Sequence, residues 1–491
     1  MTSPPTAAPT EPVPCETAAI VSLNPADPAD TVLRIPAAGT AGATAAVGRA
    51  RIAQPGWLAD GSAARAAALC EAADALEADR DALAALVVRE VGKPLTEAVA
   101  EIARTVAIWR YYAQLAYDPT GGVHEPCAGT GLLFTRRRPY GVAGLITPWN
   151  FPLAIPSWKA APALAAGNTV VLKPAPEATA CALRLADVLC GVLPPGALTV
   201  IPGGAAEGKA VLSAVDVVSF TGSDAVGRAV VAAATAEGIP VQAEMGGLNA
   251  ALVLPDGNIT SAAGHIASAI AGYAGQKCTA TSRVIAVGTA YGPLRDALAE
   301  ALGSVHATDP ADALSVCGPV ISGAAHERVT AARDSALAEG ATVAAGGLAH
   351  RLRKPGWYVE PILLEGLPDD HALLNEEVFG PIAVLQRATD LSHAIALANQ
   401  VRQGLVASLH TRDIDAALSA ADRLETGMVR VNAPTTGVDF HVPFGGTKSS
   451  SHGPREQGRA AMDFYTASRT VTLLASGPPD SRPHRPATMH P

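Results

Sequence analysis

Charge is scarce in this chain. Of its 491 residues only 16% are Asp, Glu, Lys or Arg, and 36 basic against 45 acidic side chains leave a net charge of −9. That charge is spread out, and the run Arg136, Arg137 and Arg138 is too short to form the basic stripe of a nucleic-acid surface. No stretch reaches the roughly 18 uninterrupted apolar residues of a membrane-spanning helix. The first 14 residues have neither a basic nor an apolar region, so no secretory signal is expected there. Cysteine is sparse and unpatterned: residues 15, 70, 127, 181, 190, 278 and 317 form no CxxC pair or ligand ladder, and an odd count fits a reducing compartment. No repeat of 20–50 residues is evident. These absences predict a soluble cytoplasmic protein with no nucleic-acid, membrane or metal partner.

What the chain has in quantity is apolar surface, 49% of residues. At this length it supports two or three domains, each with its own core. Residues 1–14 and 477–491 bury too little to offset the cost of ordering and are expected to be disordered tails. Residues 40–117 read as helical. Short apolar runs at 142–146, 168–172, 198–201 and 216–220 then alternate with helical stretches at 160–164, 180–189 and 206–212. That alternation predicts a doubly wound α/β domain with a parallel sheet. A second alternation follows residue 244: strands at 250–254, 282–287, 359–363, 382–387 and 428–431, with a helix at 262–274. It predicts a second α/β domain with a cysteine near its start.

Three short motifs carry chemistry. In Gly275-Gln276-Lys277-Cys278-Thr279-Ala280 the thiol has small neighbours. A helix or strand start after it would offer free N–H groups that lower its pKa, and its own N–H could face an oxyanion. Glu244 ends an apolar run before Met245, Gly246 and Gly247; burial there would raise its pKa toward neutrality, where a carboxylate can take a proton from water. Asn150, in Pro148-Trp149-Asn150-Phe151-Pro152, is either an Asx cap or, with a nucleophile elsewhere, an oxyanion donor. Phe220-Thr221-Gly222-Ser223-Asp224-Ala225-Val226-Gly227 closes a strand and opens a helix, a place suited to phosphate. Lys173 closes the 168–172 strand, where an adenosine ribose or a phosphate often lies.

Taken together these residues resemble the aldehyde dehydrogenase superfamily, the NAD(P)-dependent enzymes that hydrolyse their acyl intermediate. The resemblance runs from about residue 24 to 474. It rests on PWNFP at 148–152, KPAPEAT at 173–179, FTGSDAVG at 220–227, EMGG at 244–247, GQKCTA at 275–280, NEEVFGP at 375–381 and PFGGTKSS at 443–450. It implies Cys278 as nucleophile, Glu244 as general base, and Asn150 with the Cys278 N–H as oxyanion hole. It implies cofactor contacts, with NAD or NADP, from Lys173 at the ribose, Gly222, Ser223 and Gly227 at the pyrophosphate, and Glu377 and Phe379 at the nicotinamide riboside. Ile146, Thr147, Pro148, Trp149, Pro176, Phe220, Thr221, Val226, Met245 and Gly246 complete that implied cofactor wall. Phe151, Trp158 and Phe444 fall where the family lines its substrate tunnel.

The implied architecture is a cofactor-binding domain from 15–118 and 141–246, a catalytic domain at 247–452, and a β oligomerisation arm from 119–140 and 464–476. Its terminal strand, 464–474, is expected to meet the arm across a subunit boundary of a homodimer or homotetramer. Arg138 is expected to serve that contact. Residues 438–446 and 453–458 resemble the branch of 2-oxoglutarate semialdehyde (2,5-dioxopentanoate) dehydrogenases, which implies a small anionic aldehyde. Three departures stand out. Leu248 replaces a common lysine. Pro176 replaces a glutamate frequent in strict NAD users, which leaves NADP open. Tyr273 and Lys277 vary usual tunnel residues. An unusual aldehyde such as a phosphonoaldehyde stays open; a CoA-acylating enzyme, which generally lacks the Glu244 base, a non-catalytic binding protein and a cysteine hydrolase fit the motifs less well.

Overall fold

The computed structural model describes residues 19–118, 121–127, 131–347, 355–368 and 370–474. Both expected tails lie outside these residues. The helical amino-terminal region resolves into four helices, Gly39–Ala59, Gly61–Ala78, Arg80–Val91 and Leu95–Leu115, behind an antiparallel hairpin of Ala19–Asn24 and Asp27–Pro36. The fourth helix matters most for the site, because it carries Glu97, Glu101 and Arg104 on one face at i, i+4 and i+7 spacing.

The first sheet has six strands. Val142–Thr147 lies centrally between Thr169–Pro174 and Val217–Thr221, with Leu198–Val200 and Val241–Glu244 beyond them, all parallel. Every residue of Val142–Thr147 and Thr169–Pro174 is buried, the signature of strands covered on both faces. The sixth strand is Ser451–His452, antiparallel to Val241–Glu244 with Ser451 opposite Glu244. The chain after residue 450 therefore returns to the first sheet.

The second sheet has seven strands in the spatial order Thr342–Gly346, Ile362–Glu365, Ile382–Ala388, Thr281–Val287, Asn249–Val253, Val406–His410 and Met428–Val431. Only Thr342–Gly346 runs antiparallel to its neighbour. The expected 359–363 strand begins three residues later, at Ile362. The fold is thus α/β with two mostly parallel sheets. Among the described residues no helix is long and apolar enough to cross a membrane.

Two further expectations are corrected. The helix expected to reach residue 274 stops at Ala271, because Tyr273 and Ala274 take left-handed backbone angles (φ 53° and 52°) that no helix accommodates. The terminal strand is Thr466–Leu474, with Phe464 ending a helix before it. It pairs over nine residues with Gly131–Pro139 of the same chain rather than across a subunit boundary. Arg138 is exposed in that ribbon, opposite Ala467.

Candidate active site

Cys278 sits in the turn before the Thr281–Val287 strand, the strand start that the motif allowed for, but the expected lowering of its thiol does not arise. Instead, burial pushes the Cys278 thiol up, and the carboxylates of Glu377, Glu244 and Glu456 add to the effect. The turn is held from both sides. Asn249 Nδ2 donates to the carbonyls of Cys278 and Ala280, both at 2.8 Å. Tyr273, fully buried, donates its hydroxyl to the Val91 carbonyl at 3.0 Å. Gln276 Nε2 donates to the Pro319 carbonyl at 3.3 Å, and its Oε1 accepts from Ile321 N–H at 2.8 Å. These bonds offset two left-handed residues, each costing roughly 1–2 kcal/mol.

Asn150 stands in the turn between the Val142–Thr147 strand and the Ala154–Ala165 helix and is 4% exposed. Its Nδ2 donates to the Gln276 carbonyl at 3.0 Å, two residues before the cysteine. A carboxamide nitrogen carries two hydrogens, so one remains to donate. The turn is fixed from beneath by Glu101, whose Oε1 accepts from Leu153 and Ala154 N–H at 2.9 and 3.0 Å, satisfying the first turn of that helix. Lys93, completely buried, pairs with Glu101 Oε2 and lies 3.8 Å from the centre of the Phe151 ring.

Glu244 is 2% exposed at the end of its strand. Burial raises its pKa well above the usual carboxylate range, and Glu456 raises it further; the Ser451 hydroxyl, Lys159 and Arg455 partly oppose this. Ser451 Oγ donates to Glu244 Oε2 at 2.5 Å, a bond made possible by the strand pairing that sets the two residues opposite each other. Behind Glu244 lies a buried polar network that the motifs did not disclose. Lys159 donates to Glu456 and, at 2.7 Å, to Ser219 Oγ; Ser219 donates to Gln242 Oε1 at 2.7 Å. Trp158 Nε1 completes it by donating to Glu456 Oε2 at 2.9 Å.

Cys278 and Glu244 open onto one cavity of about 290 Å³, together with Phe151, Trp158, Phe444, Thr221 and Met245. All three expected tunnel residues therefore meet there, with the Trp158 and Phe444 rings 6.0 Å apart. Asn150 is not on the cavity wall; it touches the cysteine segment from behind. Of the two departures beside the cysteine, Lys277 pairs with Glu97 at 2.7 Å and Tyr273 is wholly internal. Leu248 is buried, its carbonyl accepting from the Arg283 guanidinium at 3.1 Å.

The expected cofactor residues gather at the carboxyl ends of the first sheet. Ile146, Phe220 and Met245 pack their side chains into the core below. Close approach is built in: a Cβ on Gly222 would lie 2.5 Å from the Phe220 ring, and one on Gly227 2.5 Å from Met245 Sδ. The Asp224–Ala236 helix begins beside Ser223 with no side-chain cap on its N–H groups, and Val226 on its first turn is 52% exposed. Lys173 donates to the Gly203 carbonyl at 3.1 Å; burial lowers its pKa while Glu177 and Glu207 raise it. Pro176 opens the short turn 176–178, with Glu177 next to it. Thr147, Pro148 and Trp149 lead from the sheet into the Asn150 turn, and Trp149 packs edge-on against Phe379 at 5.7 Å. Glu377 Oε1 accepts from Gly247 N–H at 3.2 Å, and burial raises its carboxyl to about 7. A Cβ on Gly246 would collide with that carboxylate. This array of glycines, free helix-end N–H groups and one lysine at strand ends fits a dinucleotide.

The same arrangement is found in known proteins. A profile of the aldehyde dehydrogenase family matches residues 13–471. The chain belongs to this family. It is 38% identical over 454 residues to alpha-ketoglutaric semialdehyde dehydrogenase of Bacillus subtilis, covering 91% of this chain and 93% of the relative. It is 40% identical over 457 residues to alpha-ketoglutarate semialdehyde dehydrogenase of Haloferax volcanii, covering 91% and 94%. Among solved structures, PnpE in complex with nicotinamide adenine dinucleotide superposes with a TM-score of 0.90 at 35% identity, covering 94% of this chain and 95% of that one. As a family member the chain is an aldehyde-oxidising oxidoreductase.

Proposed function

We propose that this aldehyde dehydrogenase oxidises a small anionic aldehyde to its carboxylic acid through a thioester on Cys278, hydrolysed with Glu244 as general base. The observation that carries the reading is the single cavity onto which a thiol and a buried carboxylate both open, between aromatic walls. Burial and three carboxylates raise the pKa of the thiol, so its thiolate forms as the proton is released to solvent, and Glu244 on the same cavity is kept for the water step. With that proton released, the sulfur adds to the aldehyde carbon and the carbonyl oxygen becomes an oxyanion. The Cys278 N–H stabilises it, joined by the second Asn150 N–H when that side chain turns from behind the cysteine segment toward the cavity. The nicotinamide, when bound, supplies the hydride acceptor. After the hydride has left, Cys278 carries a thioester, activated enough for water to attack. Glu244 takes the proton of that water; the C–S bond breaks, the acid departs and the Cys278 thiolate is regenerated.

For the cofactor the residues at the sheet edge support the assignments made from the motifs, with Glu377 and Phe379 at the nicotinamide end and Lys173 at the ribose. The Glu177 and Glu207 carboxylates act on Lys173, which disfavours an added 2′-phosphate and favours NAD. The anionic substrate is supported by the relatives named for alpha-ketoglutarate semialdehyde. The Gly131–Pro139 and Thr466–Leu474 ribbon, with Leu132, Leu473 and Leu474 exposed, is proposed as the oligomer contact.

The test is the rate of NAD against NADP reduction with 2-oxoglutarate semialdehyde, succinic semialdehyde, a phosphonoaldehyde, betaine aldehyde and simple alkanals. Highest kcat/KM with NAD and a carboxylated aldehyde supports the reading. Preference for neutral or cationic aldehydes keeps the chemistry and removes the substrate class.

A further inference from the structure

The charges on the cavity wall are satisfied by their neighbours with one exception. Glu97 is paired with Lys277. Glu101 is paired with Lys93 and caps Leu153 and Ala154. Arg104, one turn further along the same helix, also lines the cavity. Among the described residues it makes no hydrogen bond and no ion pair. It is half-buried; its burial is opposed only by the more distant charges of Asp439, which is exposed, and Glu101. A guanidinium stays protonated in such a place and keeps five N–H donors in a fixed planar fork. Withdrawing it from water without a partner costs free energy, and among the described residues none of the acceptor side chains lining the cavity hydrogen-bonds to it.

We propose that Arg104 binds the carboxylate of the substrate, with the aldehyde end directed to Cys278 across the same cavity. The inference rests on the proposed oxidation of an anionic aldehyde at this site and assigns the residue that selects it. A carboxylate matches the guanidinium fork with two parallel N–H···O bonds, and the partly desolvated wall strengthens them. Lys277 does not compete for this role, because Glu97 already neutralises it at 2.7 Å. Arg104 is thereby a specificity-determining residue: an uncharged aldehyde of equal length leaves the guanidinium unpaired, and discrimination against it follows.

The experiment uses the full-length chain with NAD and a matched pair of substrates, 5-oxopentanoate and pentanal. The ratio of their kcat/KM values is measured for wild type, Arg104→Gln and Arg104→Lys. Wild type is expected to favour 5-oxopentanoate. Arg104→Gln is expected to lower the ratio by roughly 10- to 100-fold, the value of hydrogen bonds to a charged group. Arg104→Lys, which keeps the charge but loses the fork, is expected to recover part of it. Glutarate should inhibit wild type competitively and lose that effect in Arg104→Gln. A wild type that favours pentanal overturns the anionic reading itself, and the Arg104 assignment with it. A wild type that favours 5-oxopentanoate by the same ratio as Arg104→Gln overturns the Arg104 assignment alone.

Discussion

Asn150 donates its side-chain amide to the backbone carbonyl of Gln276 at 3.0 Å, joining the turn that follows the central strand of the first sheet to the segment that carries Cys278. It fixes the cysteine turn with one N–H, and the other is the one proposed for the oxyanion.

Replacing Asn150 by alanine removes both. The account predicts a fall in the hydride-release rate of about 100- to 1,000-fold, the usual effect of losing an oxyanion donor, with a smaller change in KM. Stopped-flow absorbance of NADH formation checks it; a rate within a few-fold of wild type would leave Asn150 as a tether only.

Lys93 and Glu101 form an ion pair with both side chains essentially inaccessible. Lys93→Met strands a buried carboxylate that also holds the Ala154–Ala165 helix end, so a loss of about 3–5 kcal/mol is expected, read from denaturant unfolding. The companion Lys93→Met/Glu101→Gln variant should recover part of that loss, because the stranded charge is gone. A single variant as stable as wild type would show that the ion pair does not hold this helix end in the fold.

Glu377 gives a pH signature. Its folded pKa, about 7, lies above the ordinary 4.5, so the protonated form favours the fold. Below pH 4.5 both states are protonated and no penalty exists. Between 4.5 and 7 the unfolded chain ionises first, and stability falls by at most about 3 kcal/mol, then stays level. Gln at this position can still accept from Gly247 N–H but cannot ionise. The thermal midpoint of Glu377→Gln relative to wild type should rise from pH 4.5 to 7 and level off above it. A difference independent of pH would contradict the burial of this carboxylate.

Much of this was legible in the sequence, for a physical reason. Parallel strands buried on both faces read as unbroken apolar runs, so Val142–Thr147 and Thr169–Pro174 stood out. The positions of Cys278, Glu244 and Asn150 were visible because each sits inside a contiguous motif. What stayed hidden depends on residues far apart in the chain. Lys159 and Glu456 lie 297 positions apart, and neither neighbourhood announces the other. The Ser451–Glu244 pairing needs a two-residue strand returning to a distant sheet, too short to leave a periodic signal. The stop of the helix at Ala271 escaped notice because Tyr273 and Ala274 carry none of the Gly or Asn signals of left-handed backbone. Nothing in the sequence around Arg104 marks it, since only the fold brings it to the cavity without a partner.

The most direct test of the central claim is a rapid-mixing experiment on Glu244→Gln with NAD and 2-oxoglutarate semialdehyde, followed by intact-mass and peptide analysis. The account predicts one NADH per active site, then stalled turnover, with an acyl adduct that maps to Cys278 and is absent from Cys278→Ala. Steady turnover by Glu244→Gln at the wild-type rate, or a burst with no adduct on Cys278, would contradict it.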